Sequence, residues 1–338
     1  MKPERELSQP VRLCGEDGRL NPEAVGFSRR PIVTCNLRGS WPRKKRWDYW
    51  CVTTDSHLVA LTYADVDYLG LGDLWFFEYK TERSYHHPIV VPLARGFSQS
   101  PLVNRADIEL DALGLRLTFR DEPGGTRLAF RSRPWGRSRL EGELFVALPE
   151  SHETLNVVVP WDERRFQFTS KHQCRPATGE LTLDGREFRF AEDNEAFGCL
   201  DYGRGIWPYE TTWNWASASG VQGGRVVGFN LGGKWTDGTG STENGVVLDG
   251  RLHKISEELT LEYDTRCFTD PWRLHTRSGS VDLRFVPFYD RKNRLELGVL
   301  RSHVHQCFGR FEGTLRAGDE TVEVSELVGW AEEHRARW

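Results

Sequence analysis

Two carboxylates, Asp201 and Glu243, stand in apolar company. The segment Leu200–Asn244 around them holds Trp207, Trp213, Trp215 and Trp235, several glycines, and the amides Asn214 and Asn230. A carboxyl group among large rings loses hydration, so its pKa rises toward the range of a general acid. Protonating a C=C bond creates a carbocation, which indole faces can stabilise. This chemistry makes Asp201, Tyr209, Asn214, Glu243 and His305 the candidate catalytic residues. Asp201 or Glu243 would deliver the proton, while Tyr209, Asn214 and His305 would place water or relay a proton. Trp213, Trp215, Asn230, Trp235, Asn244, Gln167 and Lys171 form the candidate ligand-binding set.

Each residue also has a plainer reading. Asp201 and Glu243 could be buried carboxylates tied to Arg204 or Lys234, and Trp213 and Trp215 could be core. Gln167, Lys171 and His172 could lie on a solvated or interface face. On a strand, Trp213 and Trp215 point one way and Asn214 the other. Buried amides need partners, so Asn214 and Asn230 must satisfy backbone or orient a ligand.

Other chemistries fit less well. Gly228-Phe-Asn-Leu-Gly-Gly233-Lys234 approaches a P-loop, but Trp235 stands where Ser or Thr should hold magnesium, which excludes nucleotide binding. Gly-x-Ser-x-Gly is missing. His303, His305 and Cys307 alternate beside Arg301, a weak zinc pattern without a third ligand of diagnostic spacing, so no metal and no cofactor are expected. The seven cysteines include no Cys-x-x-Cys pair, and a net charge of −4 gives no field for nucleic acid. The basic run Arg43-Lys44-Lys45-Arg46 reads as a solvated turn entering an aromatic strand. A polar N-terminal stretch and the lack of a membrane-length apolar run suggest a cytoplasmic chain with no stable membrane insertion. Oligomeric state is open.

The elements that must hold these residues are strands. Short alternating runs recur at Leu115–Phe119, Thr126–Phe130, Leu140–Val146, Val226–Leu231, Leu259–Tyr263 and Val281–Phe285. Between them lie turn signals such as Asp184-Gly185 and Asp249-Gly250, which supply the positive φ angles of tight hairpins. A turn is expected over residues 20–27, and Glu323–Trp338 reads as a closing strand. Each half has a Trp-rich strand region followed by hairpins, which predicts an N-terminal β-domain over residues 1–192 and a C-terminal one over residues 193–338.

Long strings carry a resemblance over nearly the whole length. They include Cys35-Asn-Leu-Arg-Gly39, Lys45-Arg-Trp-Asp-Tyr-Trp50, Ala64-Asp-Val-Asp-Tyr-Leu-Gly70, Arg165-Phe-Gln-Phe-Thr-Ser-Lys171, Thr212-Trp-Asn-Trp215, His305-Gln-Cys-Phe-Gly309 and Gly329–Trp338. By these the chain resembles the DUF2804 family. Through Gly198-Cys-Leu-Asp201 and Trp213-Asn-Trp215 it is more distantly similar to the AttH and carotenoid-hydratase group and to tocopherol cyclases. That resemblance implies an all-β fold of two lipocalin-like barrels or open barrels packed together, with chemistry on long apolar isoprenoids. The expected function is cofactor-free, proton-driven hydration, isomerisation or cyclisation of an apolar ligand inside a Trp-rich barrel cavity. The alternative is a non-catalytic carrier or sensor of an apolar metabolite.

Overall fold

The computed structural model describes residues 3–133, 138–297 and 300–338, without the side chain of Leu297. Among these the regular structure is β, apart from single 3-10 turns at Pro22–Ala24 and Glu192–Asn194. No helix is long and apolar enough to cross a membrane.

The strands form two large, antiparallel, open barrels. In the first sheet the order is Arg83–Pro92, Leu69–Glu78, His57–Asp65, Lys44–Thr53, Phe197–Ile206, Phe166–Leu183, Leu140–Ala147, Gly125–Ser132, Leu115–Glu122 and Asp107–Ala112. Leu155–Pro160 pairs with Phe166–Leu183 off this path. The second sheet runs Arg251–Ile255, Asn244–Leu248, Arg225–Gly233, Glu210–Gln222, Glu320–Arg337, Leu300–Ala317, Val281–Leu297, Trp272–His275 and Thr260–Glu262. The chain passes from one sheet to the other between Ile206 and Glu210, so Phe197–Ile206, assigned by sequence to the second unit, pairs within the first sheet.

Local sequence explains the hairpins. Asp184 and Gly185 have φ of 52° and 85°, and Asp249 and Gly250 have φ of 48° and 79°. Consecutive positive φ angles match the twist of the flanking strands, which is why Asp-Gly occupies both turns. A register shift between His172 and Arg175 bends the long strand Phe166–Leu183. Its two halves thereby serve different neighbours, Leu155–Pro160 and then Leu140–Ala147.

Alternation decides where each side chain goes. Trp50 and Val52, Val59, Leu61 and Tyr63, Leu74 and Phe76, and Phe166 and Phe168 fill the first barrel. Ala216, Phe229, Leu231, Phe285, Cys307 and Phe311 belong to the second core. The opposite faces of the same strands meet in a seam, where Cys51, Ala60, Trp75, Phe77 and Cys199 pack with Trp215, Phe308 and Trp330. The expected ligand space inside a barrel is therefore replaced by packed side chains, and the space lies in the seam.

Candidate functional site

A cavity of about 520 Å³ opens in the seam, lined from both sheets. Every second residue of several strands reaches it: Trp47 and Tyr49, then Gln167, Thr169 and Lys171 from the first sheet, and Trp213 and Trp215, Ser302, Val304 and Gln306, and Glu332 and His334 from the second. Register aligns them further. Lys171 is opposite Asp201, Asp201 is opposite Tyr49, and in the second sheet Trp215 and Gln306 flank Glu332.

One lysine organises the charges. Lys171 Nζ lies 2.9 Å from Asp201 Oδ2 and 3.3 Å from Glu243 Oε2, so a cation of the first sheet pairs with a carboxylate of its own sheet and with one just before the strand Asn244–Leu248 of the second. It also sits over the Trp215 ring, 4.4 Å from the centroid. Burial alone would lower the Lys171 pKa, but Asp201 and Glu243 outweigh it and raise it above the ordinary value. Trp235 Nε1 donates to Glu243 Oε1 at 2.7 Å, and burial still holds the Glu243 carboxyl above its usual range. Gly232, paired with Trp215, makes room: a Cβ there would lie 2.1 Å from Glu243 Oε1.

The third carboxyl is Glu332. Trp213 Nε1 donates to its Oε1 at 3.0 Å. Burial, reinforced by the neighbouring Asp201 and Glu243 charges, pushes its pKa up to about 7. The fold thus keeps a proton that the unfolded chain releases at ordinary glutamate pH. This contribution is complete below about pH 4.3 and is lost as pH rises through about 7. Relative to wild type, Glu332→Gln should gain roughly 2–3 kcal/mol of stability between pH 5 and pH 8. Urea unfolding of both proteins at the two pH values measures the gap; a gap that pH does not move contradicts a proton held by Glu332.

Aromatic packing closes one end of the cavity. Trp207 packs against Trp47, Trp161, Trp213, Trp235 and Trp338, with centroid distances of 4.9 to 5.9 Å. Its Nε1 donates to Gln167 Oε1 at 2.7 Å. His334 stacks on Trp213 at 3.9 Å and meets Ser302 Oγ at 2.8 Å; burial, with the His303 charge, pushes its pKa down to about 3. His334 is therefore a neutral imidazole.

The sequence-derived set divides. Asp201, Glu243, Trp213, Trp215, Trp235, Gln167 and Lys171 all line the cavity. Neither carboxylate is held by Arg204, which pairs with Asp48, or by Lys234, which pairs with Glu333. Five candidates do not line it. Tyr209 is 68% exposed and covers the Arg43 guanidinium. His305 shares its strand face with Cys307, away from Val304 and Gln306; it stacks on Phe268 and bonds Asp290. Asn214 donates to the Tyr263 hydroxyl and the Glu332 carbonyl, on the face opposite the indoles. Asn230 supports the site from behind, accepting from Trp215 Nε1 at 2.7 Å and donating to the Glu243 carbonyl at 2.6 Å. Asn244 binds backbone, accepting from Gly232 N and donating to the Glu257 carbonyl. Alternation applied to Glu332, His334 and Trp338 in the closing strand would have found the missed acid. No group of three or more potential metal ligands occurs among the described residues.

No curated protein matches the sequence. Among solved structures, a putative AttH from Nitrosomonas europaea is similar over 90% of this chain and 98% of its own, at 12% identity and a TM-score of 0.53. CghA is similar over 91% of this chain and 93% of its own, at 14% identity and a TM-score of 0.50. A kievitone hydratase from Nectria haematococca covers 86% of this chain and 88% of its own, at 10% identity and a TM-score of 0.49. The first two likenesses agree with the fold, an all-β pair of lipocalin-like open barrels. The match in sequence is to DUF2804, a domain of unknown function, and since it runs over residues 4–338, the chain belongs to the DUF2804 family.

Proposed function

We propose that this protein binds an apolar, isoprenoid- or lipid-like molecule in the seam cavity and transfers a proton to it without a cofactor. The observation that carries the reading is a buried glutamic acid, Glu332, that keeps its proton near neutrality against a wall of indoles. Glu332 would give its proton to one carbon of a C=C bond, whose π electrons form the new C–H bond. Positive charge then develops on the other carbon. The Trp213, Trp215 and Trp235 rings and the Asp201 and Glu243 carboxylates line the cavity around that position. Addition of water or loss of a neighbouring proton discharges the cation, in cyclisation after attack by a second C=C bond has moved the positive charge to another carbon. These outcomes are hydration, isomerisation and cyclisation, and in each the released proton returns to Glu332.

The test begins with mass spectrometry of organic extracts from gently purified protein. The extracted molecule, or geranylgeraniol if none is found, is returned to stripped protein in D₂O. Wild type should place deuterium on carbon. Glu332→Gln should bind equally but label about 10²–10⁴-fold more slowly. A molecule held but never labelled makes the protein a carrier, and binding of neither molecule overturns the reading.

A further inference from the structure

The basic run Arg43-Lys44-Lys45-Arg46 divides its charges in an instructive way. Arg43 donates to the carbonyls of Trp207 and Trp338, both at 2.6 Å. Lys44 and Arg46 share Asp67, and Arg46 also holds Asp65. Lys45 points inward from the strand Lys44–Thr53. It is fully buried and lines the cavity, over the rings of Tyr68 and Trp338 at 4.8 and 5.3 Å. Its hydrogen bond is to the Val66 carbonyl, a long 3.4 Å, and no carboxylate forms an ion pair with it among the described residues. The expected solvated turn is thus a strand entry whose second lysine is taken out of water. Burial and the neighbouring Arg43 charge pull its pKa down to about 8, so it remains largely protonated at neutrality.

Two more donors lack partners at this end. An indole N–H can only donate, so the bond from Trp207 fixes Gln167 with Oε1 toward the ring and its amide nitrogen elsewhere. Among the described residues that nitrogen, on a fully buried cavity-lining residue, has no acceptor, and neither does Trp338 Nε1. Buried donors left without acceptors are destabilising, so a ligand that brings an acceptor is favoured here. An ammonium, an amide N–H and an indole N–H, with no acceptor among them, suit an oxygen-rich anion. Arg43 is already occupied by two backbone carbonyls, so Lys45 is the cation left to meet the ligand directly, and a carboxylate brings the single negative charge that suits it.

We propose that the ligand is an apolar chain ending in a carboxylate, and that Lys45, Gln167 and Trp338 receive this head group at the tryptophan end of the cavity. This rests on the apolar-ligand reading above and adds a polarity to it: head at Lys45, reacting carbons toward Glu332.

Retinoate, methyl retinoate and retinol, titrated by quenching of tryptophan fluorescence, test it with matched probes. Wild type should bind retinoate at least about tenfold more tightly than the ester or the alcohol. Lys45→Met should abolish that preference while leaving the ester within about threefold, and Lys45→Arg should keep it. Equal binding of the three by wild type, or a preference that survives Lys45→Met, overturns the head-group assignment and leaves the apolar pocket standing. Failure of all three to bind wild type also overturns the head-group assignment, whereas the apolar-ligand reading falls only if the extracted molecule and geranylgeraniol fail to bind as well, so the two failures are distinguishable.

Discussion

Lys171→Met should lower stability by about 3–5 kcal/mol at pH 8, because it leaves Asp201 and Glu243 buried without their cation. The methionine fills similar space, so the loss reports charge rather than a void. Burial already holds the Glu243 carboxyl above its unfolded value, and the variant removes the Lys171 charge that opposes this. The defect is therefore present in full at high pH and shrinks as pH falls toward the carboxylate range. Urea unfolding at pH 8 and pH 5 gives the size and the sign. Adding Asp201→Asn and Glu243→Gln should recover most of the pH 8 loss. A single variant as stable as wild type at pH 8 would mean that Lys171 does not balance these charges.

Trp207→Ala should be the most damaging of the aromatic changes, at about 3–5 kcal/mol. Trp207 is 3% exposed, touches five other indoles, and anchors Gln167. Truncation opens a void and also leaves Gln167 Oε1 without its donor. Trp207→Phe helps to separate the two effects, since it keeps most of the packing while removing the N–H. We expect Phe to cost about 1–2 kcal/mol less than Ala, and retinoid binding to fall most in the Ala variant. If Phe and Ala are equally damaging, the hydrogen bond rather than the packing dominates this end.

The fold was legible because period-2 alternation and Asp-Gly turns are local signals. The hairpins at Asp184-Gly185 and Asp249-Gly250 needed nothing beyond backbone sterics. What could not be read was which face of a strand looks where. In His57–Asp65, Val59, Leu61 and Tyr63 face the first core while Leu58 and Ala60 face the seam, and both faces are apolar. A strand buried on both sides loses the contrast that identifies its inside. His305 lies off the cavity for a reason of that kind: alternation ties it to Cys307, but only the second core shows which way that face points. Lys171 and Asp201 are separated by a whole hairpin, so their pairing emerges only from register. Glu332 was overlooked because its segment was read as a closing strand rather than as a source of chemistry.

The two faces of these strands also answer to different constraints as the sequence changes. Residues that fill the barrel interiors build the two cores, while their immediate neighbours in sequence shape the seam cavity, where Lys171 and Trp207 carry stability as well. A substitution at Thr62, Val304 or Ser302 can thus resize the cavity without opening a hole in either barrel. Two sets of positions are interleaved one residue apart, so the shape of the seam can change at such sites while the barrel cores stay constant.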